Sequence, residues 1–147
     1  MLLIDYLKEI GLPNSIIDSH GSVSRLFLKK NILTLWDAIE YVYKLPYGRT
    51  TNRENYLQIL DEKRGACSAK HALIATLAEE LFIPLKLTLA IFLLTSKNMP
   101  KIAPILGHYH LDAIPEAHCY LKYNNNTLDI TFPASSEFSF NFVLNVN

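Results

Sequence analysis

Apolar residues recur along this chain with a helical period up to about residue 82 and with a period of two after it. Leu2 to Ile10 sets leucines and isoleucines on one helical face, ended by Gly11 with Pro13 behind it. Ser24 to Lys30 reads as a second short helix, closed near Asn31. Thr34-Leu35-Trp36-Asp37 resembles a capping box and opens a helix to about Leu45 that buries Trp36, Ile39 and Val42 before Pro46 stops it. A polar loop from Pro46 to Arg53 follows, and Asn52 is placed to cap a helix running through Tyr56, Leu57 and Leu60 to Arg64. From Cys67 to Phe82, alanine, leucine and isoleucine fill positions 69, 72, 73, 74, 75, 77, 78 and 81. A helix apolar around most of its circumference is a buried helix, with Lys70 as its simplest exposed charge.

Beyond Pro84 the period changes. Leu85, Leu87, Leu89, Ile91 and Leu93 share one parity, which predicts a buried strand from Pro84 to Thr95, with a helix as the less favoured alternative. Lys97 to Pro115 holds prolines at 100, 104 and 115 and Gly107, and reads as a long irregular connection of the kind that covers binding sites. The β-rich runs Pro115–Tyr123 and Thr127–Pro133 flank Asn124-Asn125-Asn126 and predict an antiparallel hairpin. A two-residue turn at Asn124-Asn125 pairs Tyr123 with Asn126, Tyr120 with Asp129 and His118 with Thr131, so His118 and Asp129 become diagonal neighbours on one face. A three-residue loop separates them. Phe138, Phe140, Phe142, Leu144 and Val146 then alternate with mostly polar residues, predicting a strand that packs inward or forms a homodimer with a second copy.

With 147 residues, half of them hydrophobic, the chain suits a single domain over 1–147, comprising a helical N-terminal segment over residues 1–52, a core over 53–133 and a C-terminal strand over 134–147. Lys plus Arg equals Asp plus Glu at 14 each, so nothing draws the chain as a whole to nucleic acid or an anionic membrane, and neither is an expected partner. Asp5 comes too early for a secretory leader and the longest apolar run is too short for a membrane span, so the expected location is cytoplasmic. The two cysteines suit that compartment, and a Cys67–Cys119 disulfide is disfavoured because Cys119 is expected on the strand face opposite His118.

The chemistry gathers on Gly65-Ala66-Cys67. A cysteine at the head of a buried helix has its sulfur beside unpaired N–H groups and the positive end of the helix dipole, which favours thiolate. His71 lies four residues on, but a base on the nucleophile's own helix cannot easily reach a leaving group across a cleft, so its expected role is supporting or packing. His108, His110, His118 and Cys119 raise zinc, but their spacing argues against a shared ion, and neither metal nor cofactor is expected. Arg49 and Arg53 are either solvated charges or a fork for a substrate carboxylate or phosphate.

Gly65-x-Cys67 opening a helix, Ile83-Pro84 after it, His118 on a strand and Asp129 on the next resemble the catalytic core of the transglutaminase-like superfamily, a branch of the papain-like cysteine enzymes. The resemblance covers about residues 53 to 133. It implies an α+β papain-like fold with the cysteine helix packed on an antiparallel sheet. It also implies Cys67 as nucleophile, His118 as general base and acid, Asp129 as the residue that orients the imidazole, and Tyr120 as the aromatic residue soon after the histidine. The expected activity is amide or thioester hydrolysis or acyl transfer on a small molecule or peptide, with Arg49, Asn52, Arg53 and Tyr120 as substrate-binding residues. The alternative is a catalytically silent fold that binds another protein.

Overall fold

A computed structural model describes residues 1–133 as an α+β protein with six α-helices and a three-stranded antiparallel sheet among those residues. The predicted C-terminal strand and its dimer contact lie outside the described residues. Helices α1 (Leu3–Glu9), α2 (Ser22–Lys29) and α3 (Leu35–Lys44) form the amino-terminal layer. Gly11, at φ +73°, ends the first helical segment in the left-handed region that glycine adopts without cost. Thr34 caps α3 by accepting the Asp37 N–H at 3.2 Å, as its sequence suggests. Trp36 is only half-buried, because its indole N–H reaches out to the Leu12 carbonyl at 3.1 Å.

The expected helix from Asn52 to Arg64 is cut down to α4 (Gln58–Glu62). Two asparagine side chains compete for the backbone: Asn52 Oδ1 accepts the Glu54 N–H and Asn55 Oδ1 the Leu57 N–H. These local turns replace the first helical turn. Asn52 therefore caps no helix.

Helix α5 (Cys67–Glu80) carries Leu73, Ile74 and Leu77 into the core without exposure and packs on the sheet and on α2 and α3. The sheet order is β1 (Lys86–Leu94), β2 (Ile114–Tyr123), β3 (Asn126–Leu128). Between β1 and β2 the chain is not wholly irregular, because it folds a 3-10 turn at Pro100–Ile102 and helix α6 (Ala103–His108). Pro104 sits in the first turn of α6, where its missing N–H costs nothing.

The strand at 84–95 forms, but its burial differs from expectation. Leu87 is the register partner of Leu121, and Leu121 that of Leu128, so all three stand on one sheet face. Leu121 and Leu128 are fully buried in one cluster with Leu73 and Leu77. On β1 the same face continues as Leu87, Leu89, Ile91 and Leu93, exposed at 46%, 62%, 73% and 58%. Although α5 approaches β1, this row stays exposed among the described residues, so alternation fixes which way these side chains point without burying them. No helix among the described residues is long and apolar enough to cross a membrane.

Candidate active site

The site begins at Gly65. A β-carbon there would stand 2.7 Å from Ile59 Cδ1 and 2.9 Å from Lys70 Cγ, so only glycine lets the chain pass between these side chains into α5. Gly65 also pins the preceding loop. Its N–H donates to the Pro46 carbonyl and its carbonyl accepts the Gly48 N–H, both at 3.2 Å. That bridge brings Tyr47 and Arg49 beside the start of α5. The Tyr47 ring lies 4.9 Å, centroid to centroid, from Phe132, which ties the loop to the chain beyond β3.

Cys67 is the first residue of α5, and its half-buried thiol meets β2. Strand β3 stops opposite Leu121, so among the described residues the earlier part of β2 has no strand partner on the side away from β1. There the Cys67 sulfur stands close enough to the Cys119 N–H, the Cys119 thiol and the His118 ring for each to act on its ionisation. As expected, Cys119 stands on the strand face opposite His118, with Leu89 as its register partner, and it nonetheless lines the same cavity as Cys67. Both cysteines are free thiols.

The hairpin takes the two-residue register, with Tyr123 opposite Asn126 and Asn124 at φ +53°. Asp129 follows the end of β3, and its Oδ2 accepts a hydrogen bond from His118 Nε2 at 2.6 Å. Its other oxygen, Oδ1, accepts from the backbone N–H and the hydroxyl of Thr131, at 2.9 and 2.5 Å. With Nε2 committed to Asp129, Nδ1 is the ring nitrogen left for Cys67.

These contacts set the charges. Burial pushes the Cys67 thiol up, but the His118 ring and the N–H groups of Cys119 and Ser68 outweigh it and hold the pKa below the ordinary thiol value. Burial also disfavours a charged His118, yet its bonds to Asp129 and Cys67 raise its pKa to about 10. Burial likewise works against an ionised Asp129, whose pKa is nonetheless lowered by the His118 bond, the nearby His71 ring and Thr131. At neutral pH His118 is an imidazolium and Asp129 a carboxylate, and their neighbourhood shifts Cys67 toward the thiolate. Cys119 is different: burial and the neighbouring Cys67 charge push it up, so it stays a thiol.

A cavity of about 590 Å³ opens over Cys67. Leu89, Ala117 and Tyr47 give it an apolar wall, while Arg49, Arg53, Glu54 and Glu116 put charges of both signs around it. Of the four residues expected to bind substrate, Arg49 and Arg53 line this cavity. Asn52 does not, because its backbone and side chain are engaged with Gln58 and Glu54. Tyr120 does not either, being buried and 5% exposed. Tyr47, Leu89 and Cys119 carry no sequence signal for this position, since the Gly65 bridge and the β1–β2 register place them.

Lys70 is the plainest correction. It is fully buried, and Nζ donates to the carbonyls of Leu45 at 2.6 Å, Thr131 at 2.9 Å and Ile130 at 3.5 Å. The three ammonium protons thus have three carbonyl partners. Burial lowers its pKa to about 8 against the opposing pull of Asp129. Among the described residues no group of three or more His, Cys, Asp or Glu side chains is gathered as a metal would require. No family model matches the chain, and no curated protein or solved structure matches it significantly.

Proposed function

We propose that this protein is a cysteine-dependent acyl-transfer enzyme with a transglutaminase-like, papain-like core, acting on an amide or thioester through an acyl-enzyme. The observation that carries the reading is the His118 ring, hydrogen-bonded at Nε2 to Asp129 Oδ2 at 2.6 Å and held in the charged state by that carboxylate and by the Cys67 thiol at the head of a buried helix. The Cys67 thiolate attacks the substrate carbonyl carbon, and charge builds on the oxygen beside the start of α5, with the Cys67 N–H as one donor. His118 gives its Nδ1 proton to the departing amine or thiolate as the carbon–leaving-group bond breaks, leaving a thioester on Cys67. Water or an amine then loses a proton to His118 and attacks the thioester, and the returning thiolate recovers its imidazolium partner. Asp129 holds the ring in the required tautomer throughout. Arg49 and Arg53 supply the cationic side of the cavity, where a substrate carboxylate fits.

The test is trapping. Activated esters and peptide thioesters incubated with the protein should leave one acyl group on Cys67 by mass spectrometry, with none on the Cys67→Ala variant and slow release from His118→Ala. Acylation spread over lysines and both cysteines, and equal in all three proteins, would remove the reading. The exposed row Leu87, Leu89, Ile91 and Leu93 favours a second reading, a silent fold that binds another protein. That reading requires Cys67 to react as an ordinary thiol.

A further inference from the structure

His71 is fully buried and belongs to none of the three groups that exchange protons above. Its Nδ1 lies 2.7 Å from the Cys67 carbonyl oxygen, and its Nε2 lies 2.9 Å from the Ile130 nitrogen. A carbonyl can only accept and a backbone N–H can only donate. Nδ1 must therefore carry the proton and Nε2 must be bare, so both partners and the ring itself are satisfied only when the ring is neutral and in that one tautomer. The bond at Nε2 holds the peptide that joins Asp129 to Ile130. The bond at Nδ1 holds the carbonyl of the residue bearing the nucleophile. One imidazole thus spans the two backbone segments whose separation sets where Asp129 and Cys67 stand on either side of His118. Lys70, the preceding residue, grips the Ile130 and Thr131 carbonyls and reinforces the same junction from the other peptide groups.

The charged groups facing His71 agree with this state. Asp129 Oδ1 lies 3.6 Å from Nε2 and favours a charged ring, whereas burial, the imidazolium of His118 and the ammonium of Lys70 oppose it. Burial dominates, and the pKa falls to about 4. A protonated Nε2 would also point its hydrogen at the Ile130 N–H and break that bond.

We propose that His71 is a positioning residue for the Cys67–His118–Asp129 site: a neutral imidazole that sets the distance between the nucleophile's helix and the peptide following Asp129, and through it the strength of the Cys67–His118 pair. This rests on the acyl-transfer reading, and the experiment separates the two. Cys67 alkylation is followed against pH in the wild type, His118→Ala, His71→Phe and His71→Gln, with near-ultraviolet circular dichroism to confirm native packing. His71→Phe fills similar space with no hydrogen bond. It should raise the apparent Cys67 pKa by one unit or more, which is about a tenfold loss of thiolate on the acid side. His71→Gln keeps an acceptor for the Ile130 N–H and should return reactivity to within about threefold of wild type, since one unit of pKa corresponds to tenfold. A purely packing role predicts no pKa change in His71→Phe, and that result in a folded protein overturns the proposal. If the wild-type curve is already that of an ordinary thiol, the acyl-transfer reading fails first. Should His71→Phe not fold, nitrogen-15 NMR of the wild-type ring decides: a neutral ring protonated at Nδ1 is expected at pH 7, and a proton on Nε2 overturns the proposal.

Discussion

The two ends of the sheet are treated differently. At the β3 end, Leu121, Leu128 and Ile130 are fully covered, and the polar groups that enter with them are paired: Lys70 with three carbonyls, His71 with two backbone groups, and Asp129 with His118 and Thr131. At the β1 end, aliphatic side chains on the same sheet face stand open, and Leu89 among them walls the cavity over Cys67. The difference is the covering layer. Where α5 lies on the sheet, burial is deep enough that every polar group must find a partner. Where α5 begins, at Cys67, the face opens and a reactive thiol can meet a substrate. The cavity is the boundary between the two regimes.

Breaking the covered end should have the largest effect. Lys70→Met keeps the aliphatic stem but leaves three buried carbonyls without their donor, and should cost about 3 kcal/mol or more in urea unfolding. A loss below about 1 kcal/mol would mean that water reaches these carbonyls and the junction is not closed. Leu121→Ala empties a fully buried site and should cost about 3 kcal/mol. Ile91→Thr, on the same face of β1 but 73% exposed, should change stability by less than about 0.5 kcal/mol. A cost for Ile91→Thr approaching that of Leu121→Ala would erase the comparison and show that the β1 row is covered in solution.

Some of this arrangement was legible in the sequence because it depends on neighbours in the chain. Gly11 and the Thr34–Asp37 cap mark helix ends through local hydrogen bonding and backbone freedom. Two asparagines at the hairpin fix a register that brings His118 to Asp129. The glycine before Cys67 marks the start of α5, although its reason, the close approach of Ile59 and Lys70, is visible only in three dimensions. Other features depend on residues far apart in the chain. Lys70 looks like a surface charge until Leu45, Ile130 and Thr131 are seen to surround it with carbonyls. The leucine alternation of β1 looks like a core strand until the limits of α5 are known. Tyr56, Leu57 and Leu60 have helical spacing, but the side chains of Asn52 and Asn55 take the backbone N–H groups that the first turn would need.

The central claim is that Cys67 and His118 form a thiolate–imidazolium pair, and iodoacetamide alkylation against pH tests it most directly. The comparison is made in a Cys119→Ser background, so that one thiol reports, with and without His118→Ala. The thiolate should be present above a pKa well below the free-thiol value of about 8.5. The pairing should persist as pH rises until His118 loses its proton near pH 10. His118→Ala removes the largest influence that lowers the Cys67 pKa and leaves burial opposed only by the N–H groups of Cys119 and Ser68, so the midpoint should move up toward about 8.5 and the rate at pH 7 should fall about tenfold. A Cys67 that is inert, or that titrates as an ordinary thiol with and without His118, would contradict the account.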